Sequence, residues 1–152
     1  MSVFWSQPTT VGSIGFFGDR LSITALADGG YVISHTSMIE GDNDIVFRIY
    51  NADGSVRSDS VIVNPADSFF QSGPMVFPLL DGNFAVLWSV PGASIQRFSP
   101  SGQPIGDIVD VGYNGYAIET ANGGVAIAHS LPINSFENDV ALTILAPNGQ
   151  VS

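Results

Sequence analysis

The 152-residue sequence contains no cysteine and no lysine, and only 12% of its residues are charged. Each scarcity closes a class of chemistry. Without cysteine there is no disulfide framework, thiolate zinc site or thiol nucleophile. Without lysine there is neither a Schiff base nor a Ser-Lys dyad. Four arginines against fourteen acidic residues give a net charge of -10, which repels a phosphate backbone, so nucleic acid is not an expected partner. Long apolar runs are missing as well. Stretches such as Phe84 to Val90 fall well short of the ~20 residues that cross a bilayer, so no membrane span is expected. Met1 to Val11 has neither the basic nor the apolar segment of a Sec signal peptide. Low charge does not imply disorder here, because 45% of the residues are hydrophobic. A chain of this length buries roughly two-thirds of its unfolded surface.

What is present is an internal repeat, the feature to be sought before any other. Leu26-Ala-Asp-Gly-Gly-Tyr-Val-Ile-Ser-His35 matches Leu79-Leu-Asp-Gly-Asn-Phe-Ala-Val-Leu-Trp88, and both match Thr120-Ala-Asn-Gly-Gly-Val-Ala-Ile-Ala-His129. A second anchor lies beyond each copy: Ile49 to Gly54, Arg97 to Gly102 and Ile144 to Gly149. The first two units also match at an offset of 53, which pairs Phe16-Phe17 with Phe69-Phe70 and Ser2-Val3 with Ser55-Val56. Gly149 to Ser152 aligns with Gly54 to Arg57, so the chain begins and ends at nearly one phase of the repeat. A single all-β repeat domain over 1–152 is expected, in units of approximately 1–53, 54–101 and 102–152.

Short runs rich in Val, Ile, Phe and Tyr alternate with Asp-Gly, Asn-Gly and Ser-Gly, the spacing of an antiparallel meander. Strands are expected in unit two near Ser60–Asn64, Met75–Leu80, Phe84–Ser89 and Ser94–Ser99, giving four per unit and about twelve in all. Asp28-Gly29-Gly30 and Asn122-Gly123-Gly124 are expected at tight hairpins that need positive φ. Asn51 to Gly54 and Ala146 to Gly149 suit a type I turn closed by a left-handed glycine.

The pattern of Asp-Gly, an apolar strand ending in Trp, then Gln-Arg-Phe and a Gly turn is clearest in Leu80 to Trp88, Ile95 to Phe98, Gly102 and Gly106. It resembles a tandem repeat of large secreted bacterial proteins that also carry haemolysin-type calcium-binding repeats or cadherin-like domains. His35 and His129 replace the Trp in the other two units. The resemblance implies four-stranded propeller blades and a non-enzymatic binding or structural module of a secreted or cell-surface protein. It also implies export without an N-terminal signal. Three blades fall short of the ~4–8 of a propeller. A head-to-tail homodimer is therefore expected, forming a six-bladed ring in which the strand around Val3 to Val11 completes a blade of the partner. The alternative of similar size is a monomeric β-trefoil.

The repeat also marks candidate site residues. His35, Trp88 and His129 share one repeat position, where they form either a repeated ligand or metal pocket or an aromatic plug between units. Asp42 and Asp44 correspond to Glu137 and Asp139, oxygen-rich loops of a kind that suits calcium, or else solvated hairpin tips. Trp5, Trp88, Tyr113 and Tyr116 are rings on which a sugar would stack, making a lectin-like propeller the alternative function. No Gly-x-Ser-x-Gly elbow accompanies either histidine, and no catalytic residues are assigned. Glycoside-active chemistry by two carboxylates is a further alternative that the sequence ties to no particular pair.

Overall fold

The structure, a computed structural model, describes residues 10–11, 20–63, 71–89, 92–112, 115–133, 137–147 and 150. The expected strand around Val3 to Val11 and the pairs Phe16-Phe17 and Phe69-Phe70 lie outside the described residues, apart from Thr10 and Val11.

The described residues form strands and turns with no helix. The first sheet contains β1 (Leu21–Ala25), β2 (Tyr31–Ile39), β3 (Asp42–Tyr50) and β4 (Val61–Ile62). The second contains β5 (Ser72–Pro78), β6 (Phe84–Ser89), β7 (Ala93–Phe98) and β8 (Pro104–Asp110). The third contains β9 (Gly115–Glu119), β10 (Val125–Pro132) and β11 (Asn138–Leu145). Every pairing is antiparallel and joins sequence neighbours, so each sheet is a meander. Three separate sheets are the arrangement of propeller blades and set the trefoil alternative aside. Eleven strands are described, against the expected total of about twelve.

One strand assignment needs correction. The segment near Ser60–Asn64, expected in unit two, contains β4, which pairs with β3 in the first sheet through Val46↔Ile62 and Phe47↔Val61. The reason is the Gly turn. Gly54 donates to the Asn51 carbonyl at 2.9 Å, the chain reverses, and the segment beyond the turn folds back on the strand it has just left. The amides of Arg57 and Ser58 both reach the Ile49 carbonyl, a local bulge that leaves β4 short. The fourth strand of the second sheet is instead Pro104–Asp110, on the far side of the Gly102 turn.

The Asp-Gly turns behave as expected, with a division of labour between paired glycines. Gly29 has φ +87°, the left-handed conformation that closes the β1–β2 hairpin. Gly30 is held by space: a Cβ there would lie 2.6 Å from the Tyr50 carbonyl oxygen.

Core side chains lie between sheets. Alternation along β6 sends Phe84, Val86 and Trp88 toward Val32, Ile45, Phe47 and Ile49 of the first sheet. Ala85 and Leu87 go toward Ala117, Ile127 and Leu145 of the third. β6 of the second sheet is thus buried on both faces. First strands also meet directly: Val76 donates to Ser22 Oγ at 3.0 Å and Ala117 to Met75 Sδ at 3.3 Å.

Candidate functional site

The repeat makes the two interfaces comparable position by position. Between the first and second sheets, Phe47 sits edge-on to Phe84 and Phe98, with centroids at 5.2 and 4.8 Å, and Phe84 stacks on Phe98 at 5.7 Å. Strand register places Ile95 where the first sheet has Phe47, since Ser34↔Phe47↔Val61 corresponds to Leu87↔Ile95↔Val109. Likewise Phe84↔Phe98 corresponds to Val125↔Leu145. Three rings in one interface become three aliphatic chains in the next.

A cavity of about 320 Å³ lies at this second interface, lined by Leu79, Ile95, Val109, Val125 and Leu145 together with Arg97, Asp107 and Glu119. Arg97 occupies the position of Ile49 in the first sheet, because Val32↔Ile49 corresponds to Ala85↔Arg97. Its Nη2 donates to Asp81 Oδ2 at 2.6 Å, while its Nε is buried with no hydrogen-bond partner among the described residues. Glu119 accepts a hydrogen bond from the Leu80 amide.

The outer faces of the first and third sheets carry apolar residues at the matching positions. On the third sheet, Tyr116, Ile118, Val140 and Leu142 point away from the second sheet and are 73%, 66%, 89% and 65% exposed. On the first, Leu21 and Ile23 are 60% and 59% exposed, and Tyr31 stacks on Tyr50 at 5.1 Å. The Tyr31↔Tyr50 pair is the first-sheet counterpart of Phe84↔Phe98, and Leu142 is the third-sheet counterpart of Phe47 and Ile95.

The site residues marked by the repeat are dispersed. Trp88 is buried between the first and second sheets, whereas His129 faces the second sheet and its Nε2 lies 2.9 Å from Thr143 Oγ1. His35 lies on the outer face of the first sheet, its Nδ1 2.9 Å from the Thr36 carbonyl oxygen. Each points across a different boundary, and the second sheet stands between the two histidines. Asp42 and Asp44 begin β3 after a Glu40-Gly41 turn with φ 53° and 95°; Asp42 accepts from the Asn43 amide, and Asp44 is buried. Glu137 and Asp139 sit exposed at the start of the third sheet's last hairpin strand. Among the described residues, no three His, Asp or Glu side chains gather closely enough to hold a metal ion. Tyr116 is on the outer face of the third sheet, and Trp5 and Tyr113 lie outside the described residues.

Two ion pairs brace the Asp-Gly turns. Asp28 accepts from Arg57 at 2.7 Å, and that bond, with the Gly30 amide, holds its carboxyl below the usual range. Burial pushes Asp81 upward, but the Asn83 amide and side chain and the Arg97 charge outweigh it and leave the carboxyl lowered. Asp53 is lowered by the Ser55 hydroxyl and amide.

Sequence reasoning does not find the inter-sheet cavity or the two outer faces. A trace is present: Arg97 stands where unit one has Ile49, and Val125 and Leu145 stand where unit two has Phe84 and Phe98.

These sheets define the class: an all-β protein of propeller-like fold. No protein-family model and no curated protein matches the chain. Among solved structures it is similar to an alpha-L-arabinofuranosidase of Clostridium thermocellum, with a TM-score of 0.54 and 13% identity over 82% of this chain. That protein has a propeller fold. The chain spans 46% of its length, and the likeness is one of fold.

Proposed function

We propose that the chain is a non-enzymatic binding or structural module that works as half of a ring, two copies joining head to tail into six sheets. The carrying observation is the match between the outer faces and the inner interfaces. Twice within the chain, one sheet presents an apolar side chain, Phe47 or Ile95, to a cross-strand pair on the next, Phe84–Phe98 or Val125–Leu145. Leu142 is the next such side chain, and Tyr31–Tyr50 is the corresponding pair on the outer face of the first sheet, where Tyr31 is half-buried and Tyr50 is buried within the chain. Seating Leu142 of one copy on the tyrosine pair of the other repeats the contact twice more and closes the ring. The third sheet has three described strands, and the segment around Val3 to Val11 has the repeat phase of the fourth, so the partner's segment would complete it.

Heterologous contacts of this kind close into rings or run on as filaments. Analytical ultracentrifugation across micromolar concentrations distinguishes these outcomes: a concentration-dependent dimer supports the ring, and a monomer throughout rejects it. A secreted or surface setting is suggested by the repeat's resemblance, and calcium binding by the Asp42–Asp44 and Glu137–Asp139 segments is tested by thermal melts with and without the ion. A ligand at a hundred times its Kd stabilises by about 2.7 kcal/mol, so an unchanged melt removes calcium from the proposal.

Glycan binding is the second reading, favoured by the 73% exposure of Tyr116. It competes with assembly for the same face. A glycan array probed with Tyr116→Ala beside the parent separates the two, since ring formation would hide the tyrosine.

A further inference from the structure

We propose that the cavity between the second and third sheets is a binding site for a small neutral aliphatic molecule bearing a hydroxyl. The proposal is independent of assembly, because both sheets belong to one chain.

Protein interfaces pack without large voids, so a cavity at one of two repeat-equivalent interfaces calls for a cause. The cause is the coordinated loss of three rings, as Phe47, Phe84 and Phe98 give way to Ile95, Val125 and Leu145. The resulting volume of about 320 Å³ is at the lower end of small-molecule pockets, which run from ~300 to 1,000 Å³. A packing defect alone would leave an apolar hole. Here the first sheet's buried Ile49 is replaced by Arg97, whose side chain is 41% exposed but whose Nε is buried and has no partner among the described residues. A buried donor of this kind calls for an acceptor.

The charges select the ligand. Arg97 is already neutralised through Nη2 by Asp81, while Asp107 and Glu119 also line the cavity. A carboxylate ligand would meet these two acids without a free counter-charge. A hydroxyl has both functions needed: its oxygen accepts from Arg97 Nε, and its proton is donated to one of the lining carboxylates. The described lining contains no aromatic ring on which a pyranose would stack, but Leu79, Ile95, Val109, Val125 and Leu145 suit a saturated hydrocarbon body.

Cyclohexanol is the probe. Protein carrying labelled Ile, Leu and Val methyl groups is titrated by NMR, and saturable shifts are expected at Ile95, Val109, Val125 and Leu145. Arg97→Met keeps the apolar volume and removes the donor. It should weaken the affinity roughly tenfold or more, as expected for losing a hydrogen bond to a charged group. Val125→Phe with Leu145→Phe restores two of the rings and should abolish the Ile95 and Val109 shifts. If that double variant does not fold, Arg97→Met still decides. Absence of saturable shifts in the parent overturns the proposal, as does an affinity unchanged in Arg97→Met, which would leave an apolar void with no specificity.

Discussion

Asp28 and Asp81 hold equivalent turns with different arginines: Asp28 takes Arg57 from beyond the Gly54 turn, whereas Asp81 takes Arg97 from β7. Both carboxyls, with Asp53, lie below the ordinary aspartate value of 3.8 in the folded protein. A carboxyl depressed by folding stabilises the native state above its unfolded pKa, and that contribution is lost as pH falls through the folded value. The melting temperature should therefore hold from pH 7 to about 5 for these groups and drop below 3.8. In Asp28→Asn the drop should be smaller, and an identical pH profile by circular dichroism would show that the ion pair contributes nothing. Gly102 supplies a second residue-level expectation. Its φ is +85°, and a Cβ would make ordinary contact with Ile49 at 3.4 Å, so the cost of Gly102→Ala is conformational. A loss of about 1–2 kcal/mol in urea unfolding is expected.

At the scale of the element, the second sheet carries the molecule, because Phe84, Val86 and Trp88 pack on one neighbour while Ala85 and Leu87 pack on the other. Phe84→Ala removes the ring that both Phe47 and Phe98 contact and should cost about 3–5 kcal/mol. Val125→Ala, at the equivalent position beside the existing cavity, should cost less, a contrast that denaturant midpoints of the two variants measure. Much at this scale is legible in the sequence. The expected strand Phe84–Ser89 has its observed bounds, and the Asp-Gly and Ser-Gly dipeptides mark hairpins found at Gly29, Gly82 and Gly102. The fourth strands are less so. Pro104-Ile-Gly-Asp-Ile-Val-Asp lacks the apolar–polar alternation of a half-buried strand and is exposed along most of its length, so its sequence announces no core face. The Ser60–Asn64 segment is recognisable as a strand, but its partner depends on a turn and a bulge that local composition does not encode.

For the whole molecule, the repeat shows that the sheets are alike, whereas assembly depends on which faces remain uncovered, and only the packed structure reveals that. His35, Trp88 and His129 illustrate the difference: one repeat position in sequence becomes three separate boundaries in space. Leu142, unremarkable in sequence, is left exposed on the outer face of the third sheet at the position of Phe47 and Ile95, and the proposed ring would seat it against Tyr31 of a second copy. Leu142→Arg should weaken that association at least tenfold while leaving the monomer's circular dichroism intact, because the side chain is 65% exposed within one chain. Sedimentation of the variant against the parent checks this, and equal association constants would exclude the face. The measurement that tests the central claim most directly is the mass of the parent protein in solution by light scattering at micromolar concentration. Paired three-sheet halves predict a particle of twice the 16.0 kDa chain mass, and a particle of 16.0 kDa alone would contradict them.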